Sequence, residues 1–173
     1  MPVTSRKSRG FTLVEVLIAL VVLAIGLLGM ATLMMNSLQT SQGASQRNAA
    51  TVAAYDLIER MRANRDEAVK ANSAYDSDPS TAVLPTAGCF EPDALTGCSE
   101  AEMVNLDLAR WWANLQTAIP GAAATIQQVA DDTFCLVILW QEPGVANTAN
   151  TQEAQPCGTD ADGRAFYRLQ VTL

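Results

Sequence analysis

The residue types that usually perform acid–base or nucleophilic chemistry are sparse in this chain. Its 173 residues include no histidine, which excludes histidine-assisted serine or cysteine nucleophiles and histidine-based zinc sites. The residues with distinctive chemistry that remain are Glu15 in an apolar stretch and four cysteines, Cys89, Cys98, Cys135 and Cys157. Because no set of catalytic side chains converges, we predict that the protein is not an enzyme and has no cofactor.

Other acidic residues do not form a recognisable site. Glu91, Asp93, Glu100 and Glu102 fall in a predicted loop and a first helical turn, where carboxylates are commonly solvated. Residues 160–163, Asp-Ala-Asp-Gly, resemble part of a calcium loop, but Gly and Leu stand where its first ligand and its bidentate glutamate belong. The sequence therefore predicts a turn at this point and no metal site.

Glu15 lies directly before a candidate membrane span. Residues 16–35 contain no charged side chain, and about 20 apolar residues in a helix cross the ~30 Å hydrocarbon layer of a bilayer. A carboxylate at the centre of a membrane costs about 2.5–3.5 kcal/mol on insertion scales. Glu15 is therefore a candidate functional residue, and it requires a cationic partner at the same depth.

The charges around this span predict its orientation. Arg6, Lys7 and Arg9 precede it, whereas Arg47 is the single charge in the fifteen residues that follow residue 35. By the positive-inside rule, the N-terminus stays in the cytoplasm and everything after the span lies on the other side. One alternative is a plain signal anchor in which Glu15 extends to the cytoplasmic interface.

A cation for Glu15 would be available if the chain were cut after Gly10. Phe11 would then carry a free amine four residues before Glu15. The amine of a neighbouring copy, shifted along its axis, could pair with this carboxylate. Such a pair would hold parallel membrane helices in register, as one polar residue sets the register of a coiled coil.

The junction resembles the class III signal of type IV pilins and of type II secretion pseudopilins. It has a basic leader ending at Gly10, then Phe-Thr-Leu-x-Glu-Val and an apolar stretch. The resemblance implies that a prepilin peptidase cleaves between Gly10 and Phe11 and methylates Phe11. It also implies that Glu15 sets the register of assembly.

Later motifs are similar to the PilV type of minor pilin, the type IV pilus modification proteins. The matching segments are residues 24–30, 56–62, 111–121 and 136–140. The implied role is to promote pilus assembly with other minor and major pilins, in adhesion, twitching motility or DNA uptake. The implied location is a single pass in the inner membrane with a periplasmic head, and then the pilus. The alternative is a minor pseudopilin of a type II secretion system, which shares the N-terminal features.

The predicted organisation is a leader at 1–10, a transmembrane helix at 11–35, a helical stem at 36–71 and a head at 72–173. In the stem, one apolar face includes Ala49, Val52, Ala53, Leu57, Ile58 and Met61. Gly43 weakens a helix, so two helices broken near this residue are the alternative.

The head is predicted to be α+β, as in the type IV pilin fold, with the long N-terminal helix packed on an antiparallel sheet. A capping box at Ser99 starts a second helix, which ends before Pro120. We place Met103, Leu106, Ala109, Ala113 and Ile119 on its inner face. Strand-like patterns follow at 124–129, 133–140 and 165–172.

The four cysteines lie in the part predicted to be periplasmic, where disulfides persist. Three pairings are possible. We favour Cys89 with Cys98 and Cys135 with Cys157, because each pair closes a loop-rich segment without a core of its own. Each bridge would contribute about 2–4 kcal/mol in the chain-entropy view.

The overall charge argues against one class of partner. Eighteen acidic residues against eleven basic ones give a net charge of −7, which repels a phosphate backbone. The expected partners are therefore other pilins, the prepilin peptidase, the assembly machinery and the inner membrane, and no nucleic acid is expected.

The cleavage hypothesis predicts the N-terminus of the mature protein. We expect N-terminal sequencing of the purified protein to begin at Phe11 and mass spectrometry to find that residue methylated. An intact Met1 in the mature protein would exclude processing at Gly10.

Overall fold

The structure is a computed structural model in which residues 10–85, 97–142, 157 and 164–173 are described. The chain divides into two compact units, Met1–Ser41 and Gln42–Leu173. Cys89 and residues 160–163 lie outside the described residues.

The first helix, α1, runs without interruption from Leu13 to Ala63. Every residue from 10 to 42 is exposed, and an 18-residue window of the helix reaches a mean hydropathy of 2.8. This helix is long and apolar enough to cross a membrane. Because it is continuous through Gly43, the alternative of two helices broken near this residue is wrong.

The regular helix ends before the predicted limit of the stem at residue 71. At Asn64 the backbone leaves helical geometry, and the side-chain amide of Asn64 donates to the carbonyl oxygen of Glu100 at 2.9 Å. A short helix, α2, follows at Arg65–Ala68. A contact between segments distant in sequence thus coincides with the end of α1.

The part of α1 that belongs to the second unit contributes one face to its core. The buried positions are Gly43, Ala50, Ala54, Leu57, Ile58 and Met61. Val52, which we predicted to face inward, is 62% exposed. Small alanines at the buried positions let neighbouring elements approach the helix backbone closely.

A one-turn 3₁₀ helix at Pro79–Thr81 precedes α3, which runs from Glu100 to Ala118. The predicted capping box is present: the Glu102 amide donates to the Ser99 hydroxyl at 3.3 Å, and the Ser99 amide donates to the Glu102 carboxylate at 2.9 Å. Hydrogen bonding from Ser99 lowers the pKa of the Glu102 carboxyl. The cap thus anchors the first turn of α3.

The inner face of α3 differs from the predicted one. Leu106 and Ile119 are buried as predicted, but Met103 and Ala109 are half-buried and Ala113 is exposed. The residues of α3 that join the main core are Val104, Leu108, Trp111 and Leu115. Their spacing of four, three and four residues follows one helix face, and the indole nitrogen of the large, buried Trp111 donates to the carbonyl oxygen of Ala53 at 2.7 Å.

Three strands form an antiparallel sheet in the order β1-β2-β3. They are Ala123–Ala130, Thr133–Trp140 and Ala165–Thr172, within one residue of the predicted bounds. Helices and sheet together confirm the α+β class, with a long N-terminal helix packed on an antiparallel sheet.

The central strand, β2, is buried on both faces. Phe134, Leu136, Ile138 and Trp140 join the core that contains α1 and α3. Cys135, Val137 and Leu139 lie on the opposite face in a smaller cluster with Cys157. Because both faces are covered, the strand is an uninterrupted apolar sequence without polar alternation.

A buried polar link connects α1, α3 and the segment between them. The Tyr75 hydroxyl donates to the Asp107 carboxylate at 2.7 Å, and Arg60 approaches the other oxygen of Asp107 at 3.4 Å. Asp107 is 8% exposed and Tyr75 fully buried. Burial, followed by the bond to Asp107, raises the pKa of the Tyr75 hydroxyl.

This link predicts the effect of removing one hydroxyl group. Tyr75→Phe leaves the buried Asp107 without its closest donor, so we expect the free energy of unfolding to fall by about 1–3 kcal/mol. The measurement is denaturant unfolding of the full chain in detergent. Tyr55→Phe is the control, because Tyr55 is 55% exposed, and equal losses in the two variants would contradict the role of the link.

Candidate functional site

The residues singled out at the start of the chain lie within about one helical turn of each other. Gly10, Phe11 and Thr12 precede α1, and Glu15 lies in its first turn. All four are exposed, Phe11 at 87%. The predicted cleavage point is therefore exposed and lies just before the start of α1, and the predicted register residue follows Phe11 by four positions.

Thr12 and Glu15 form reciprocal hydrogen bonds around the first turn. The Glu15 amide donates to the Thr12 hydroxyl at 3.3 Å, and the Thr12 amide donates to the Glu15 carboxylate at 3.4 Å. The Thr12 hydroxyl also lies 3.4 Å from the same carboxylate oxygen. This arrangement is a capping box, in which two unpaired helix donors are satisfied by side chains.

The capping box gives Thr12 a role that the sequence analysis did not assign. The signal was present as Thr-x-x-Glu before an apolar stretch, the same pattern that predicted the Ser99 cap. The carboxylate of Glu15 also lies at the positive end of the helix dipole. Thr12 and the dipole therefore hold a negative charge in place within a single chain.

The surface beside this carboxylate is apolar. A shallow hollow on one side of α1 is lined by Phe11, Glu15, Val16, Ala19, Leu20 and Leu23. Glu15 is the single charged residue of that set. A partner seated there would meet a mainly hydrocarbon surface with one negative charge at its end.

The described cysteines, Cys98, Cys135 and Cys157, belong to the second unit. Cys135 in β2 forms a disulfide with Cys157, with their Cα atoms 5.6 Å apart. Cys98 is also disulfide-bonded. Since Cys89 lies outside the described residues, the pairing of Cys89 with Cys98 stays a prediction.

The described residues include no grouping of side chains that could bind a metal ion. Across residues 10–85, 97–142, 157 and 164–173, no three His, Cys, Asp or Glu side chains group so as to hold a metal ion. The predicted turn at 160–163 lies outside these ranges. The chemistry of the described site is thus that of one capped carboxylate on an apolar helix.

Two family profiles match the chain. The profile described as "Prokaryotic N-terminal methylation motif" covers residues 5–31, which include Gly10, Phe11 and Glu15. The profile described as "Type IV pilin Tt1218" covers residues 32–109. No curated protein and no solved structure matches the chain significantly.

The helix, the motif and the head define the class of the protein. A long apolar N-terminal helix that carries a methylation motif fits a membrane-anchored pilin, and the α+β head agrees with the pilin fold. The chain is a type IV pilin-like protein. This family is structural rather than catalytic.

The capping box predicts a local effect at the first turn of α1. In Thr12→Val the acceptor for the Glu15 amide is lost, so we expect that amide to exchange with solvent about fivefold faster, as the loss of a helix cap worth about 1 kcal/mol implies. The measurement is amide exchange by NMR in detergent micelles. Thr32→Val is the control, because the Thr32 hydroxyl donates to the Leu28 carbonyl within the same helix. Unchanged exchange at Glu15 would contradict the cap.

Proposed function

We propose that the protein is a minor pilin of a type IV pilus, of the PilV type. It is inserted as a single-pass inner-membrane precursor with a cytoplasmic N-terminus and a periplasmic head. Prepilin peptidase cuts between Gly10 and Phe11 and methylates Phe11. The mature subunit then joins other minor and major pilins and promotes assembly, in the service of adhesion, twitching motility or DNA uptake.

One observation carries the proposal: an exposed carboxylate stands at the start of a helix whose next turns are entirely uncovered. Residues 10–42 are all exposed, so the apolar helix requires lipid or neighbouring helices around it. Glu15 is the one acid in that stretch. Burying the Glu15 carboxylate in lipid costs free energy, and pairing with a neighbouring amine would offset this cost.

Assembly would exchange one set of contacts for another. Among the described residues of the single chain, the Glu15 carboxylate accepts from Thr12 alone, over long bonds of 3.4 Å. The amine of Phe11 from a neighbouring subunit would offer a charged donor, and hydrogen bonds between charged groups are shorter and stronger than neutral ones. The register contact would thus gain energy that the capping box alone does not supply.

Two of the PilV-like motifs, residues 111–121 and 136–140, lie in the head. Trp111 and Trp140 are buried in its core, and Gly121 has a positive φ of 77° in the turn after α3, where glycine is favoured. Residues of the motifs at 111–121 and 136–140 therefore contribute to the core and to a turn of the head.

The test is a deletion strain, scored for surface pili by electron microscopy and for proteins secreted into the medium. We expect pili to be lost while secretion stays normal. Complementation with Glu15→Ala should give processed protein at normal levels that is at least about tenfold depleted from sheared fibres, since the charge pair sets register.

Glu59→Ala is the matched control, because Glu59 is exposed on the same helix and pairs with Arg62. Normal entry of Glu15→Ala into fibres would contradict the charge-pair argument. Normal pili with secreted enzymes trapped in the periplasm would identify a type II secretion pseudopilin instead. No change in either phenotype would favour a membrane-anchored domain of another kind.

A further inference from the structure

Gly43 is the first residue along α1 that is not exposed. Residues 10–42 before it are all exposed, and the next fully buried position is Ala50. The side chain that covers Gly43 belongs to Glu142, almost a hundred residues later in the chain. A β-carbon at Gly43 would collide with the carboxylate of Glu142.

Glu142 is held in this place by Arg47. The guanidinium Nη2 of Arg47 donates to Oε2 of Glu142 at 2.9 Å. The two side chains differ in exposure, at 65% for Arg47 and 12% for Glu142. Arg47 lies four residues after Gly43, so both residues are on the same face of the helix.

The identity of residue 43 agrees with this contact. Glycine is among the poorest residues for a helix interior, yet α1 passes through Gly43 without a break. A missing side chain is useful where another group approaches the backbone closely. A carboxylate as buried as that of Glu142 in turn requires a cationic or hydrogen-bonding partner, which Arg47 supplies.

Glu142 also marks the end of the central strand. Strand β2 ends at Trp140, which is buried in the core, and Glu142 follows two residues later. The start of the head-bound part of α1 is thereby fastened to the most buried strand of the sheet.

We propose that Gly43, Arg47 and Glu142 form a latch that makes the helix–head contact begin at Gly43 rather than near Ala49, which packs against the main core. With the latch closed, the turns between these two positions are supported by the head. When it opens, nearly two turns of α1 lose that support, and the length of helix held by the head changes. This inference does not depend on the proposed function.

The main test is hydrogen exchange, followed by mass spectrometry, on the full chain in detergent micelles. We expect Arg47→Ala and Glu142→Gln each to speed exchange of peptides covering residues 42–50 by about tenfold, because a local opening becomes easier. Peptides from β1 and β2 should keep their protection, which shows that the head is folded. Arg62→Ala is the control, since Arg62 pairs with Glu59 on an exposed part of the same helix. Unchanged exchange of 42–50 in Arg47→Ala would overturn the latch.

Gly43→Ala separates the latch from simple helix propensity. Alanine is the better helix former, so propensity alone predicts slower exchange in residues 42–50. The latch predicts faster exchange, because the Glu142 carboxylate must shift to make room for the new methyl group, and we expect this shift to weaken its pairing with Arg47. Gly26→Ala is the matched control, since a β-carbon at Gly26 meets no atom within 4 Å. Slower exchange in Gly43→Ala would overturn the proposal.

Two further measurements address the shared mechanism. The double variant Gly43→Ala/Arg47→Ala should exchange no faster than the faster single variant, because both break the same contact. Raising NaCl from low concentration to about 1 M, where the screening length falls to about 3 Å, should speed exchange of 42–50 in the wild type but not in Arg47→Ala. Additive effects of the two substitutions, or equal salt responses, would each contradict the latch.

Discussion

The structure depends on a single helix that must meet two different requirements. From Val16 to Met35, α1 exposes apolar side chains on every side, which is stable only in lipid or among other helices. From Gly43 onward, one face of the same helix is part of the core of the head. The exposed part of the helix carries one acid, Glu15. It therefore requires apolar surroundings for its side chains and one cationic partner for this carboxylate. Assembly into a fibre would satisfy both at once.

Polar contacts determine how the rest of the head packs on the part of α1 that begins at Gly43. The apolar core gives most of the stabilisation but little direction, because burial of apolar area is not directional. Direction comes from a few side chains: the indole of Trp111 bonds to the carbonyl of Ala53, Tyr75 donates to Asp107, and Arg47 pairs with Glu142. The Trp111 and Arg47 contacts fasten α3 and the segment after β2 to α1. The Tyr75 bond fastens the segment after α2 to Asp107 of α3, which also pairs with Arg60 of α1.

Features that depend on neighbours along the chain could be predicted from the sequence. The apolar helix followed from the length of an uncharged stretch, the start of α3 from Ser99 and Glu102, and the three strands from their β-branched and aromatic residues. The capping box of Thr12 and Glu15 is likewise indicated by the spacing of the two residues in the sequence. Hydrogen bonds between residues three or four apart form from the chain's own geometry, so their pattern can be read directly.

Features that need a distant partner could not be predicted from the sequence and are seen in the folded chain. Val52 fits the apolar face of α1 by spacing but remains exposed, and the inner face of α3 is set by Trp111 rather than by the alanines predicted there. Gly43 was predicted to weaken the helix, but in the structure the carboxylate of Glu142 packs against it. Periodicity shows which residues share a face, whereas the shape and charge of the opposing surface decide which face is buried. That surface comes from segments up to a hundred residues away, and no local pattern encodes it.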